Sequence, residues 1–121
     1  EQATQSLKQR VIFAGKVDDL DRIYPACDCL VHPTYYDACS LVVLESLASG
    51  TPVITTSANG ASMFVKKGSG AIIEPGDMHT LALAMRDAMA DRKSDIAGSL
   101  GLHDHRAVFF RIEELMRRYE Q

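Results

Sequence analysis

The residues best placed to do chemistry are Asp37 and Glu45, two acids with seven residues between them that flank the start of an apolar helical run, Ser40-Leu41-Val42-Val43-Leu44. A helix start presents unpaired N–H groups and the positive end of the helix dipole, so the amides of Ser40, Leu41 and Val42 form an anion site there. Ionised carboxylates accept two hydroxyl hydrogen bonds at once. With the loop folded over the helix terminus, one acid reaches hydroxyl groups beside a bound phosphate and the other reaches a separate diol. Glu45 is the odder of the two, because its helix is apolar on almost every side and an unpaired buried carboxylate is costly. It needs a partner, either ligand hydroxyls or a neighbouring arginine or lysine. Asp37 also has a plainer reading as a loop aspartate that caps the following helix, with Ser40 as the other cap candidate.

Other residues carry less. His32 ends a strand just before this segment and could donate to a phosphate, but it has no nucleophile or metal partner at suitable spacing, so a core or rim histidine fits as well. Tyr35 and Tyr36 either stack on a base or pack as a lid. Gly60, in Ser57-Ala58-Asn59-Gly60, either lets the backbone approach a ligand or makes a plain turn. His79, His103 and His105 read as solvated. Cys27, Cys29 and Cys39 form an odd set without zinc spacing and read as reduced, partly buried side chains. Gly68-Ser69-Gly70 fails as a dinucleotide fingerprint, since position 73 is Ile and the glycines precede a strand. Zinc and P-loop signatures are absent from the sequence.

The elements that must position these residues alternate between strand-length apolar runs and helix-period segments, the pattern of a parallel sheet with helical crossovers. Val11-Ile12-Phe13-Ala14, Cys29-Leu30-Val31-His32, Val53-Ile54-Thr55-Thr56 and Ala71-Ile72-Ile73-Glu74 read as four strands. Asp18 caps a short helix through Ile23, where Pro25 forces Tyr24 from helical angles. Ser40 to Ser49 forms a second helix, closed by Gly50 and Pro52. Asp77 caps a third through about Ala90, with Leu81, Met85 and Ala88 on one stripe. A fourth spans about Arg106 to Tyr119, after a polar loop from Asp91 to His105.

The chain has 121 residues, 46% of them hydrophobic, which suffices for one compact core. Its formal net charge is −3 and no basic cluster is present, which argues against a nucleic-acid partner. No apolar run approaches the ~20 residues of a membrane span, and the opening Glu1-Gln2-Ala3-Thr4-Gln5 lacks signal-peptide character; a soluble, cytoplasmic protein is expected.

The run from His32 to Glu45, followed by Gly50-Thr51-Pro52-Val53-Ile54, resembles the paired-acid motif of retaining glycosyltransferases of the GT-B type. The wording His-Pro-Thr-Tyr-Tyr-Asp-x-Cys-Ser-Leu-Val-Val-Leu-Glu is especially similar to their lipopolysaccharide core glucosyltransferase branch. Weaker similarity runs from Val11 to Gly15, from Thr55 to Ala61 and from Ile73 to Asp77. The resemblance implies a Rossmann-like α/β fold and residues 1–121 as part of a C-terminal nucleotide-sugar-binding domain. By the same resemblance, Asp37 contacts the donor sugar and serves catalysis, Glu45 holds the ribose hydroxyls, and Cys39, Ser40, Leu41, Val42 and Gly60 line the donor. The donor is a nucleoside-diphosphate sugar, a uridine or related one, with no metal or other cofactor expected. The setting is lipopolysaccharide or other polysaccharide and glycoconjugate synthesis, with a peripheral seat on the cytoplasmic face of the inner membrane left open. In two places the sequence departs from the family: Asp37 stands for the usual glutamate, and Met63 stands where many relatives carry another acid.

Such a domain has six strands in the order 3-2-1-4-5-6, of which about four are expected here. The first two, the basic residues used against the diphosphate, and the acceptor-binding domain would then lie outside this stretch. The expectations are a piece inactive by itself, with its open edges closed by rearrangement or self-association. The rival readings are a non-catalytic α/β interaction module and a nucleotide-sugar epimerase or phosphorylase on the same fold.

Overall fold

A computed structural model describes residues 11–90 of the chain. The elements run α1 (Leu20–Ala26), β1 (Leu30–His32), α2 (Leu41–Ala48), β2 (Val53–Thr56), a 3-10 turn (Gly60–Phe64), β3 (Gly70–Ile73) and α3 (Met78–Ala90). The three strands form one parallel sheet in the order β1-β2-β3, with Leu30 opposite Val53 and Val53 opposite Gly70. This is the parallel α/β class expected. β2 is buried at all four positions because helices cover both its faces.

Alternation along β2 separates two apolar clusters. Val53 packs with Val43, Leu44 and Leu47 of α2 and with Ala61, whereas Ile54 packs with Ile73 and with Leu81 of α3. α2 ends as its sequence dictates: Gly50 takes a φ of 79°, and Pro52 follows. Asp77 begins α3 by accepting hydrogen bonds from the Thr80 amide (3.0 Å) and hydroxyl (2.6 Å). Gly70 is obligatory for the β2–β3 pairing, since a Cβ there would sit 1.8 Å from the Val53 carbonyl oxygen.

Four expectations need correction. Residues Val11 to Ala14 form no strand; Ile12 and Phe13 are 87% and 96% exposed. A strand exists only through a neighbour, and among the described residues none lies beside this segment, nor beside the outer edges of β1 and β3. α1 starts after Asp19, whose side chain makes no cap bond, and continues through Pro25 to Ala26. Tyr24 therefore stays helical although a proline follows it, because burial and two side-chain contacts described below outweigh the local restriction. The inward stripe of α3 is Leu81, which is buried, with the partly buried Ala84 and Ala88, whereas Met85 is exposed. Finally, Cys27 and Cys39 are exposed free thiols and only Cys29 is partly buried. The expected fourth helix and the loop before it, with His103 and His105, lie outside the described residues.

Candidate functional site

The loops that follow β1 and β2 are joined at the carboxyl end of the sheet. Thr56 Oγ1 donates to the Thr34 carbonyl at 2.6 Å and Thr55 Oγ1 to the His32 carbonyl at 3.0 Å. Beyond them, Asp37 and Asn59 form a parallel bridge: the Asp37 amide donates to the Ala58 carbonyl (3.3 Å) and the Gly60 amide to the Asp37 carbonyl (2.9 Å). Gly60 is needed for this closeness, since a Cβ there would lie 1.8 Å from the Ala38 carbonyl oxygen. The close approach at Gly60 in the structure is between two loops of the protein, so the glycine is more than a plain turn.

Asn59 is the clamp of this arrangement and was not singled out in the sequence. It is fully buried, its Oδ1 accepts from the amides of Ser40 (3.3 Å) and Ala61 (3.0 Å), and its Nδ2 donates to Thr55 Oγ1 (3.0 Å). The available signal was an asparagine next to a glycine, shortly after a strand of β-branched residues.

The expected anion site narrows accordingly. The Ser40 amide is already held by Asn59, and the Cys39 amide donates to Asp37 Oδ1 at 3.1 Å. Leu41 and Val42 remain, as first-turn amides of α2 before the Leu44 amide closes on the Ser40 carbonyl (3.4 Å). Neither expected cap operates: the Asp37 carboxylate turns back on Cys39, and Ser40 makes no side-chain cap bond, its Oγ lying 3.5 Å from His32 Nε2. His32 Nδ1 is buried without a partner among the described residues.

Glu45 projects from α2 and is half-buried, less enclosed than its apolar helix suggested. Among the described residues it has no cationic partner; instead Oε2 accepts a hydrogen bond from the Tyr24 hydroxyl at 3.0 Å. Tyr24 is only 6% exposed, and burial together with the neighbouring carboxylate pushes its phenol up to about 12. The partner of Glu45 was legible in principle, because a buried tyrosine needs an acceptor as much as a buried carboxylate needs a donor. Tyr35, Tyr36 and Met63 are exposed. A groove between β3 and α3, lined by Ile54, Ala71, Ile73, Leu83 and Ala84, contains none of the candidate residues. Among the described residues no helix is long and apolar enough to cross a membrane, and no three His, Cys, Asp or Glu residues converge on a metal position.

The helix start is thus held by the buried Asn59 at the carboxyl ends of parallel strands, where open α/β sheets collect ligands, with Asp37 on the loop before it and Glu45, held by Tyr24, one turn into the helix. Residues 1–91 match the profile described as "Glycosyl transferases group 1". The chain is 36% identical over 83 residues to the lipopolysaccharide core biosynthesis glycosyltransferase LpsE of Rhizobium meliloti, covering 68% of this chain and 24% of that protein. The crystal structure of WaaG, a glycosyltransferase involved in lipopolysaccharide biosynthesis, superposes with a TM-score of 0.67 at 27% identity, covering 78% of this chain and 26% of that one. Sucrose-phosphate synthase from Thermosynechococcus elongatus does so with a TM-score of 0.72 at 29% identity, over 97% and 32%. The chain spans about a quarter of the length of the curated relatives it matches.

Proposed function

Because the chain belongs to the group 1 glycosyltransferases of the GT-B type, related to their lipopolysaccharide core branch, we propose that it holds the sugar nucleotide of an enzyme that moves a sugar from a nucleoside diphosphate to an acceptor hydroxyl with retention. The first-turn amides of Leu41 and Val42 face the diphosphate and stabilise the charge that develops there as the bond to the sugar breaks. Asp37, whose Oδ1 is fixed by the Cys39 amide, turns its other oxygen to the sugar hydroxyls and orients the ring. Glu45 takes the ribose diol. A uridine diphosphate sugar is the proposed donor, and lipopolysaccharide or a related glycoconjugate the product. The acceptor site belongs to a separate domain of the complete protein, and the reaction as proposed draws on no metal.

The observation that carries this reading is the state of Glu45: a half-buried carboxylate on an apolar helix, one turn past free amides, paired with a neutral hydroxyl and with no cation among the described residues. Titration of the complete encoded polypeptide with UDP, ADP and GDP tests it. Glu45→Ala is expected to weaken the preferred diphosphate by about 10- to 100-fold, the worth of one or two hydrogen bonds to a charged group. Unchanged affinity in that variant would remove the ribose assignment.

A further inference from the structure

Tyr24 comes from α1, 21 residues before Glu45, and no spacing rule connects the two. Its side chain is buried, and its backbone carbonyl accepts a hydrogen bond from the Thr51 hydroxyl. Thr51 is itself tied to the carboxyl end of α2: its amide donates to the Ser46 carbonyl at 2.9 Å and its carbonyl accepts from Ser46 Oγ at 3.1 Å. Tyr24, on α1, is thus anchored through Thr51 to the carboxyl end of the helix that carries Glu45, away from the loops at the start of that helix. A glutamate side chain is otherwise free to sample several rotamers, and a ligand that must order it loses affinity in doing so.

We infer that Tyr24 is a positioning residue for nucleotide recognition: its phenolic O–H holds Glu45 Oε2, so that the remaining lone pairs of the carboxylate are set in place for the vicinal hydroxyls of a ribose before the ligand arrives. The inference rests on the ribose role proposed for Glu45. Burial and the adjacent carboxylate keep the phenol protonated across the physiological range, so the donor is always present. Tyr24 touches Glu45 and acts only through it.

The test separates this role from simple packing. In the complete encoded polypeptide, affinity is measured by calorimetry for UDP, or for ADP or GDP if one of these binds more tightly, and for its 2′-deoxy counterpart. Tyr24→Phe keeps the ring and removes the hydroxyl. It is expected to reduce the preference for ribose over deoxyribose by about 5-fold or more, the effect of one charge-assisted hydrogen bond, with little change for the deoxy ligand. In a Glu45→Ala background the preference is already gone and Tyr24→Phe has no further effect. Thr51→Val, which removes the hydroxyl bond that ties the Tyr24 carbonyl to the end of α2 but keeps the Cys27 amide on that carbonyl and both side chains of the pair, moves the preference in the same direction and serves if the phenylalanine variant does not fold. Equal weakening of both ligands by Tyr24→Phe, or a full preference in folded Thr51→Val when the first variant is lost, overturns the inference while the Glu45 reading stands. A preference that survives Glu45→Ala overturns both, and is recognised by that single variant.

Discussion

Replacing Gly60 by alanine tests the architecture of the site most directly. The added Cβ would lie 1.8 Å from the Ala38 carbonyl oxygen and 2.9 Å from its carbon, against an ordinary contact that begins at 3.4 Å. Both obstacles are backbone, so no side chain can swing away, and the two loops must part by more than about 1 Å. Such a movement breaks the 2.9 Å bond from the Gly60 amide to the Asp37 carbonyl and stretches those from Asp37 to Ala58 and from Ser40 to Asn59, already at 3.3 Å. At ~0.5–1.5 kcal/mol for each hydrogen bond lost, Gly60→Ala should destabilise the domain by roughly 1–3 kcal/mol. Asp37 moves with its loop, and if it orients the sugar as proposed, a displacement of about 1 Å would lower turnover by ~100-fold. Urea unfolding of the complete polypeptide and initial rates of sugar transfer measure the two effects together. A variant that loses donor affinity at undiminished stability would show that the glycine is there for the ligand, and wild-type values in both assays would refute the loop-contact argument altogether.

Two further outcomes follow from buried and capping groups. Asn59→Ala leaves the Ser40 and Ala61 amides without their acceptor beneath the loops, and should lower stability by about 2–4 kcal/mol in urea unfolding; an unchanged midpoint would mean that water replaces the amide without cost. Asp77→Ala removes the cap of α3. The Asp77 carboxyl is held below its ordinary value first by the Thr80 hydroxyl and then by the Thr80 amide, so its ionised form stabilises the fold above the unfolded value of 3.8. That contribution is lost as pH falls through the lower folded value. The melting temperatures of wild type and Asp77→Ala should therefore differ at neutral pH and converge below about pH 3.8; a constant gap would show that the cap acts without its charge.

Elements governed by local rules were legible in the sequence. β2 runs over the four residues expected, α2 falls within one residue of Ser40 to Ser49 at each end, and Asp77 caps α3. In each case the stop or start lies in the same few residues as the element: a glycine at positive φ, a proline, a cap. What failed were the features that depend on a partner elsewhere. Val11 to Ala14 has strand composition and no adjacent strand among the described residues. Tyr24 is held helical before Pro25 by contacts to Glu45 and Thr51, 21 and 27 residues away. The contact of Gly60 with Ala38 was likewise beyond the sequence, since Ala38 is brought there only when β1 and β2 lie side by side.

The same distinction governs the site. The motif located Asp37, the start of α2 and Glu45, since all three lie within nine residues of one another. It could not supply the groups that hold them, because Asn59 and Tyr24 come from after β2 and before β1. The identity of the Glu45 partner then matters for binding. Had Glu45 been paired with a buried arginine that the ribose must displace, the guanidinium would be left as an uncompensated buried charge, at about 3–5 kcal/mol. A tyrosine hydroxyl occupies one lone pair, leaves the carboxylate charged, and need not be displaced. In the proposed ribose role, a diol arriving at Glu45 would add its hydrogen bonds to the one already made, so its binding free energy would not be spent on dismantling the protein's own contacts.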